Sequence, residues 1–500
     1  LSKTYTKTEK AFLTYLREIK AYHEALSLIF WDLRTKAPKK GVKTRSETIG
    51  ILSSKVHRMT TSDRMKEFID QLKDETKDPI IHKAVLECEK KYERSIKIPE
   101  DENKEYVTLQ SQAESVWEEA REKSDFEMFK PYLEKLVDFN IKFANYWGYD
   151  QHIYDTLLDI YEPGITVKQL DEVFPKLRTS LVNLLEKVKR SKNKPDPSVI
   201  LQKFPKEDQK RFTLEILEQM GYDFEAGRLD DTVHPFEITL NQQDVRITTR
   251  YDENDFRMAV FGTIHEGGHA LYEQNISDEL EGTPLSSGTS MGIHESQSLF
   301  WENYVARSKA FWKRYYNTFK RYAPEEFHSI PLDMFYQSIN EVRPSYIRIE
   351  ADEMTYPLHI MIRYELEKAL ISQDIDVKDL PELWNDKMED YLGIRPRNDR
   401  EGVLQDVHWS GGSFGYFPSY ALGYMYGAQL LHAMNQSFDV NQAIENGELK
   451  KIKEWLTVQI HQYGKMKEPL DILKDVTGET LNPDYLVRYL EKKYQDIYQW

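Results

Sequence analysis

One stretch of the chain carries residue types at a spacing that does chemistry: His265-Glu266-Gly267-Gly268-His269. On a helix, positions i and i+4 share a face about one turn apart, so both imidazoles can reach a single divalent ion. A glutamate beside the first histidine is placed to hold and deprotonate a water on that ion. The spacing assigns His265 and His269 as metal ligands and Glu266 as the general base, provided the surrounding chain supplies the rest of the site.

The third ligand must come from downstream. A metzincin pattern would need glycine at 272 and histidine at 275, and the chain has Tyr272 and Asn275. A carboxylate on a following helix is the alternative, as in sites built from two histidines and a glutamate. His294-Glu295-Ser296-Gln297 opens such a helix after the loop that starts at Gly282, and Glu295 is the choice there; Glu302, Glu273 and Glu279 compete. Glu273 continues the motif helix by one turn and reads as an exposed helical carboxylate. Many sites of this kind place an acid one turn after the third ligand to orient a histidine, but that position is Leu299. Glu302, Asp352 or a backbone carbonyl must take that part.

The elements that position these residues read as helical. Phe12, Leu16, Ile19, His23, Leu26 and Phe30 recur at three- and four-residue steps, as do Leu133, Leu136, Val137, Ile141 and Ala144. Ser124 to Glu127 and Thr166 to Gln169 have the form of capping boxes, and Gly464 that of a helix C-cap. One region departs from the helical period. Phe236, Ile238 and Leu240, then Val245, Ile247 and Thr249, alternate with polar neighbours around Asn241-Gln242-Gln243-Asp244, which predicts a β-hairpin. The motif helix should begin just after it, with Asn254 or Asp255 as N-cap. A strand beside a metal helix can bind an extended peptide by backbone pairing.

Composition narrows the class. With 500 residues, 40% hydrophobic and 30% charged, the chain is a globular protein. A formal charge of −16 argues against nucleic acid and against anionic membrane surfaces. Cys88 is the single cysteine, so no intrachain disulfide exists, and its place in a helical pattern predicts a packed thiol. The stretch Leu1 to Lys10 has no apolar signal core, and runs such as Leu28 to Trp31 are too short to span a bilayer. A cytoplasmic enzyme is the expectation.

Six ordered segments now give a resemblance. His265 to His269 and His294 to Gln297, with His234-Pro235-Phe236, Asp244-Val245-Arg246-Ile247-Thr248, Ile347-Arg348-Ile349-Glu350-Ala351-Asp352 and Gly402-Val403-Leu404-Gln405-Asp406-Val407-His408-Trp409, resemble the carboxypeptidase Taq family of metallocarboxypeptidases. The resemblance implies a mainly α fold: two helical lobes around a deep groove, similar to neurolysin and angiotensin-converting enzyme, with one small sheet beside the metal helix and residues 1–500 as one catalytic domain. It implies removal of single C-terminal residues from peptides, with broad specificity and poor action before proline. It implies one divalent metal per chain, zinc first and cobalt second, and a homodimer. It places the ligands on His265, His269 and Glu295 and the acid–base role on Glu266.

A tetrahedral oxyanion needs a donor besides the metal. Tyr420 and His408 are the candidates, in a Gly-rich segment resembling the one that enters a tyrosine-bearing helix in neurolysin-like peptidases. An exopeptidase must also bind a free carboxylate, which suits a guanidinium. Arg348 is the first candidate and Arg246 the second; a salt bridge from Arg348 to Asp352 or Glu353 is the competing role. His234 and Gln405 complete the substrate-binding candidates, although Gln405 and Asp406 can equally orient loops. Two other functions fit the same residues: an endo-acting oligopeptidase on this scaffold, and a non-catalytic peptide-binding scaffold. The intact Glu266 speaks against the second.

Overall fold

The metal motif lies on a helix at Arg257–Gln274 that other elements enclose on most sides, so residues from Ala259 to Glu273 are buried almost all round. The structure, a computed structural model, describes residues 4–500, and Leu1 to Lys3 of the polar N-terminal stretch lie outside them. Twenty α-helices dominate it, joined by short 3-10 turns and one π-helical stretch at Phe300–Ala306. No helix among the described residues is long and apolar enough to cross a membrane.

The expected hairpin forms the only sheet among the described residues. Strands β1 (Leu229–Asp231), β2 (Glu237–Asn241) and β3 (Asp244–Thr249) are ordered β1-β3-β2. β2 pairs antiparallel with β3 in the register Glu237↔Ile247 and Ile238↔Arg246, while β1 pairs parallel through Leu229↔Ile247. The short β1 lacks an alternating pattern of its own and was not predicted. β3 packs on the motif helix and β2 on the first helix, Lys7–Thr35. β2 is an edge strand of the sheet.

Helical periodicity gives the first helix its buried stripe at Phe12, Leu16, Ile19 and Leu26. The stripe fails at Phe30, which is 44% exposed; Trp31 turns inward instead and meets the ring of Phe236 edge-on. Thr166 and Gln169 form the expected capping box. Ser124 does not cap: it closes the preceding helix in a left-handed conformation, and Asp125, one residue on, accepts from Met128 N. Asp255 accepts the Arg257 amide, but the residue directly before the motif helix is Phe256. Gly464 lies beyond the C-cap Ile460 and not at it; a Cβ there would stand 2.3 Å from the Leu285 carbonyl oxygen. Cys88 is a packed thiol, with burial pushing its pKa to about 12. A continuous apolar core runs from Phe12 to Tyr498.

Candidate active site

Helical spacing sets the two motif imidazoles one turn apart, and a second helix, Met291–Leu299, brings Glu295 to them. His265, His269 and Glu295 each offer a ligand atom, and these atoms lie within 4.8 Å of one another. Glu295 Oε2 is 3.5 Å from His269 Nε2 and 3.9 Å from His265 Nε2. Two atoms each about 2.1 Å from a tetrahedral centre stand roughly 3.4 Å apart, so the set fits a first-row divalent ion. The competing acids are elsewhere. Glu279 is exposed, Glu302 approaches the far side of His265, and Glu273 binds His294.

Close backbone approach makes this convergence possible. A Cβ on Gly268 would meet both the Gln297 oxygen and Ser298 Cα at 2.7 Å, so glycine lets the second helix lie directly against the motif helix. On the helix Pro418–Ser437, a Cβ at Gly423 would sit 2.7 Å from Glu295 Cγ. The start of the second helix is held by Glu162, whose carboxylate accepts from Gly292 N at 2.7 Å and from the Ser290 and Tyr426 hydroxyls at 3.0 Å. Nothing in the local sequence around Glu162 announced this.

The electrostatics are dominated by buried carboxylates. Desolvation, with Glu295 and Glu302 nearby, pushes Glu266 up to about 7. His265 is also desolvated, which opposes its charging, yet Glu295 and Glu302 carry its pKa to about 10. Desolvation wins at His269, which falls to about 4. A concentrated negative field around two imidazoles is a setting that a cation would neutralise.

Each of the two motif histidines has a different support. His265 Nδ1 is 2.7 Å from Glu302 Oε2, in the π-helical stretch. That selects Glu302 among the three sequence alternatives; Asp352 instead accepts the amides of Arg343, Met354 and Thr355. His269 Nδ1 is 2.6 Å from His294 Nδ1, and His294 Nε2 is 2.8 Å from Glu273 Oε1. Glu273 is therefore 4% exposed and paired, not the exposed helical carboxylate expected from its position.

The two segments flagged downstream meet in one buried cluster. Arg348 pairs with Asp406, its Nε 2.9 Å from Oδ1, and Arg363 takes the other oxygen, its Nε 2.7 Å from Oδ2. Arg348 thus bridges to Asp406 and to neither Asp352 nor Glu353. It donates to the Tyr356 hydroxyl and stacks 5.1 Å from the Tyr420 ring centre. Gln405 uses its whole amide inside the cluster: Oε1 accepts from Arg348 N and Arg363, and Nε2 donates to the Tyr346 and Glu401 carbonyls. The two guanidiniums hold Asp406 well below the usual carboxylate range despite its burial.

Tyrosines pack around this cluster: Arg348 lies 5.7 Å from the Tyr356 ring centre and 5.1 Å from that of Tyr420. His408 Nε2 is 3.2 Å from the Tyr420 hydroxyl, and burial lowers its pKa to about 4, so the imidazole is neutral near pH 7. Tyr356, Tyr416 and Tyr420 are raised above the usual phenol value, first by burial and further by charges that include Glu295. These tyrosines therefore keep their protons near neutral pH and can act as hydrogen-bond donors. The sequence singled out Tyr420 but not Tyr356, Tyr416 or Arg363. Arg246 is held bidentate by Asp244, at 2.7 Å for both contacts, and His234 is exposed in the loop between β1 and β2. A cleft of about 440 Å³ opens beside the site, lined by Tyr161, Glu237, Thr239, Glu273 and His294.

Comparison with known proteins decides what family builds this site. The profile of the carboxypeptidase Taq (M32) metallopeptidases matches residues 11–494. The chain belongs to the M32 family. Carboxypeptidase 1 of Bacillus subtilis (strain 168) is 56% identical over 493 residues, 98% of each chain. Thermostable carboxypeptidase 1 of Thermus thermophilus is 41% identical over 507 residues, 97% of this chain and 98% of its relative. The M32 carboxypeptidase of Deinococcus radiodurans R1 superposes with a TM-score of 0.96 at 32% identity, covering 99% of this chain and 100% of the other. As an M32 protein the chain is a metallocarboxypeptidase, a hydrolase with a mainly helical fold and one small sheet. The family implies a divalent metal, and His265, His269 and Glu295 are a set of residues that fits one.

Proposed function

We propose that this M32 enzyme removes single residues from free peptide C-termini, accepting many side chains and acting poorly before proline. The observation that carries the reading is the convergence of a His-His-Glu set, together with a Tyr356 that contacts the buried Arg348 and feels the charge of Glu295. Zinc is the first choice of metal and cobalt the second, at one ion per chain, because two imidazoles and a carboxylate suit both. Such an ion supplies Lewis-acid polarisation of the scissile carbonyl and an acidified water.

The chain's own residues do the rest. Glu266 accepts a proton from the water on its carboxylate and returns it to the leaving amine, and its burial favours the protonated form in between. Tyr420 or its partner His408 donates to the developing oxyanion. Arg348 binds the terminal carboxylate, and segments 347–352 and 402–409 close the groove one residue beyond the scissile bond. Arg246 is the second candidate; Asp244 holds its guanidinium as Asp406 holds that of Arg348. Gln405 serves as a positioning residue for Arg348, and His234 stands at the sheet side of the groove. Peptide backbone pairs along the edge strand β2, whose residues Glu237 and Thr239 line the cleft. Proline has no N–H to give in such pairing, which supports weak action before it.

We further read residues 1–500 as one catalytic domain of two lobes, supported by the continuous core. A homodimer in the cytoplasm is the proposed setting, the lone unbridged cysteine being at home in a reducing compartment. The test is mass spectrometry of one peptide with a free and with an amidated C-terminus, alongside metal content of the protein. Stepwise loss of single residues is expected, fast from the free form and at most slow from the amidated one; internal cleavage of both forms alike would favour an endo-acting oligopeptidase.

A further inference from the structure

We propose that His294 is a positioning residue of the metal site, passing a one-directional hydrogen-bond chain from the ligand His269 to the buried carboxylate of Glu273. The inference rests on reading His269 as a ligand through Nε2, the atom that faces Glu295 Oε2 at 3.5 Å. A ligating Nε2 must offer a lone pair, so the neutral ring carries its hydrogen on Nδ1. That atom is 2.6 Å from His294 Nδ1. Two ring nitrogens at this distance need one donor and one acceptor, so His294 Nδ1 accepts. The hydrogen of His294 is then on Nε2, 2.8 Å from Glu273 Oε1, which also receives the Gly288 amide at 2.8 Å. With the His294 ring neutral, every member has one role only, and the tautomer that lets His269 bind metal is the one the chain selects.

The ring of His294 is clamped in that orientation. A Cβ on Gly288 would stand 2.5 Å from His294 Cδ2, and the Tyr272 ring lies 5.0 Å away on another side. The contrast with His265 explains why a second imidazole is needed. Glu302 reaches His265 directly, whereas Glu273 follows His269 by one turn of the same helix, and His294 stands between the two. Without His294, His269 is free to rotate or to place its hydrogen on Nε2, where it cannot ligate.

The test is the affinity of the full chain for zinc and for cobalt, measured by competition with a chelator, together with the visible spectrum of the cobalt form. His294→Leu should weaken binding roughly ten- to a hundredfold. His294→Asn places its carbonyl near the old Nδ1 and should stay within a few-fold of wild type. His294→Gln, of like polarity but with its amide near the old Nε2, should weaken binding as the leucine does. A role in packing alone would not separate Asn from Gln, so equal affinities of those two overturn the proposal, as does a folded His294→Leu with wild-type affinity. His269→Ala is the control for the ligand set. If it binds metal as tightly as wild type, the ligand assignment has failed; if it loses metal while all three His294 variants keep it, only the relay has failed.

Discussion

Glu302 reaches back to His265 from beyond the helix that carries Glu295, its Oε2 2.7 Å from Nδ1. Seven residues separate the two glutamates, which returns the chain to the same face two turns on. One carboxylate therefore faces the ligand side of the imidazole and the other its back. Arg307 Nη2 lies 3.6 Å from the free oxygen of Glu302 and steadies it. Glu302→Leu should lower metal affinity about ten- to a hundredfold, as loss of such a partner commonly does. Chelator competition at fixed pH reads this directly, and unchanged affinity in a folded variant would remove Glu302 from the site.

The general-base role of Glu266 gives an independent outcome. Its carboxylate is not one of the three converging ligands, so Glu266→Gln should keep bound metal. Turnover should fall by at least about 10²–10⁴-fold, the range for loss of a positioned base. Metal analysis of the purified variant beside its kcat checks both halves. A variant that loses metal along with activity would mean that Glu266 is structural to the site.

How much of this was legible before the fold is plain from particular residues. The approach of His265 and His269 on one helix face was readable because helical spacing is local, and the hairpin because alternation is local. Glu273 could not be read for the same reason: its place on the helix says nothing about the neighbours that cover the motif helix on most sides. Arg363 and Glu162 carried no signal at all. Their meaning comes from partners 43 and 130 residues away, Asp406 and Gly292. Arg348 was singled out by motif, and its tie to Asp406 could not be told from a bridge within its own segment.

Gly268 offers a steric test of how the third ligand is delivered. Any Cβ there runs into backbone, the Gln297 oxygen and Ser298 Cα at 2.7 Å, and backbone cannot swing aside as a side-chain end would. Gly268→Ala should cost about 1–3 kcal/mol of stability, typical of overpacking. Because the helix it displaces carries Glu295, metal affinity should fall too. Thermal unfolding with and without added metal separates the effects: the metal-induced rise in Tm should shrink in the variant.

Recognition of a free carboxylate by Arg348 can be read from substrates. A charge-assisted hydrogen bond is worth about 1.5–3 kcal/mol, so Arg348→Ala should lower kcat/KM roughly ten- to a hundredfold for a peptide with a free C-terminus. Slow hydrolysis of an amidated peptide should barely change. Equal losses on both would assign Arg348 to holding Asp406 and leave the carboxylate to another group, Arg246 first.

Asp406 tests the same cluster through stability. Its carboxylate is the shared counter-charge of Arg348 and Arg363, which are 6% and 0% exposed. Asp406→Asn leaves two buried guanidiniums without it, and removing one partner of a buried pair costs about 3–5 kcal/mol. The sign of the pH dependence follows from the depressed pKa. The folded carboxyl titrates below its ordinary 3.8, so the folded state holds fewer protons than the unfolded state in the acid range. The stabilisation is complete above that ordinary value and is lost as pH falls towards the folded one. Urea unfolding at neutral pH should therefore show the full gap between wild type and Asp406→Asn, and the gap should narrow below about pH 4. A gap that stayed constant into the acid range would mean that the variant is destabilised by altered packing and not by loss of the ion pairs.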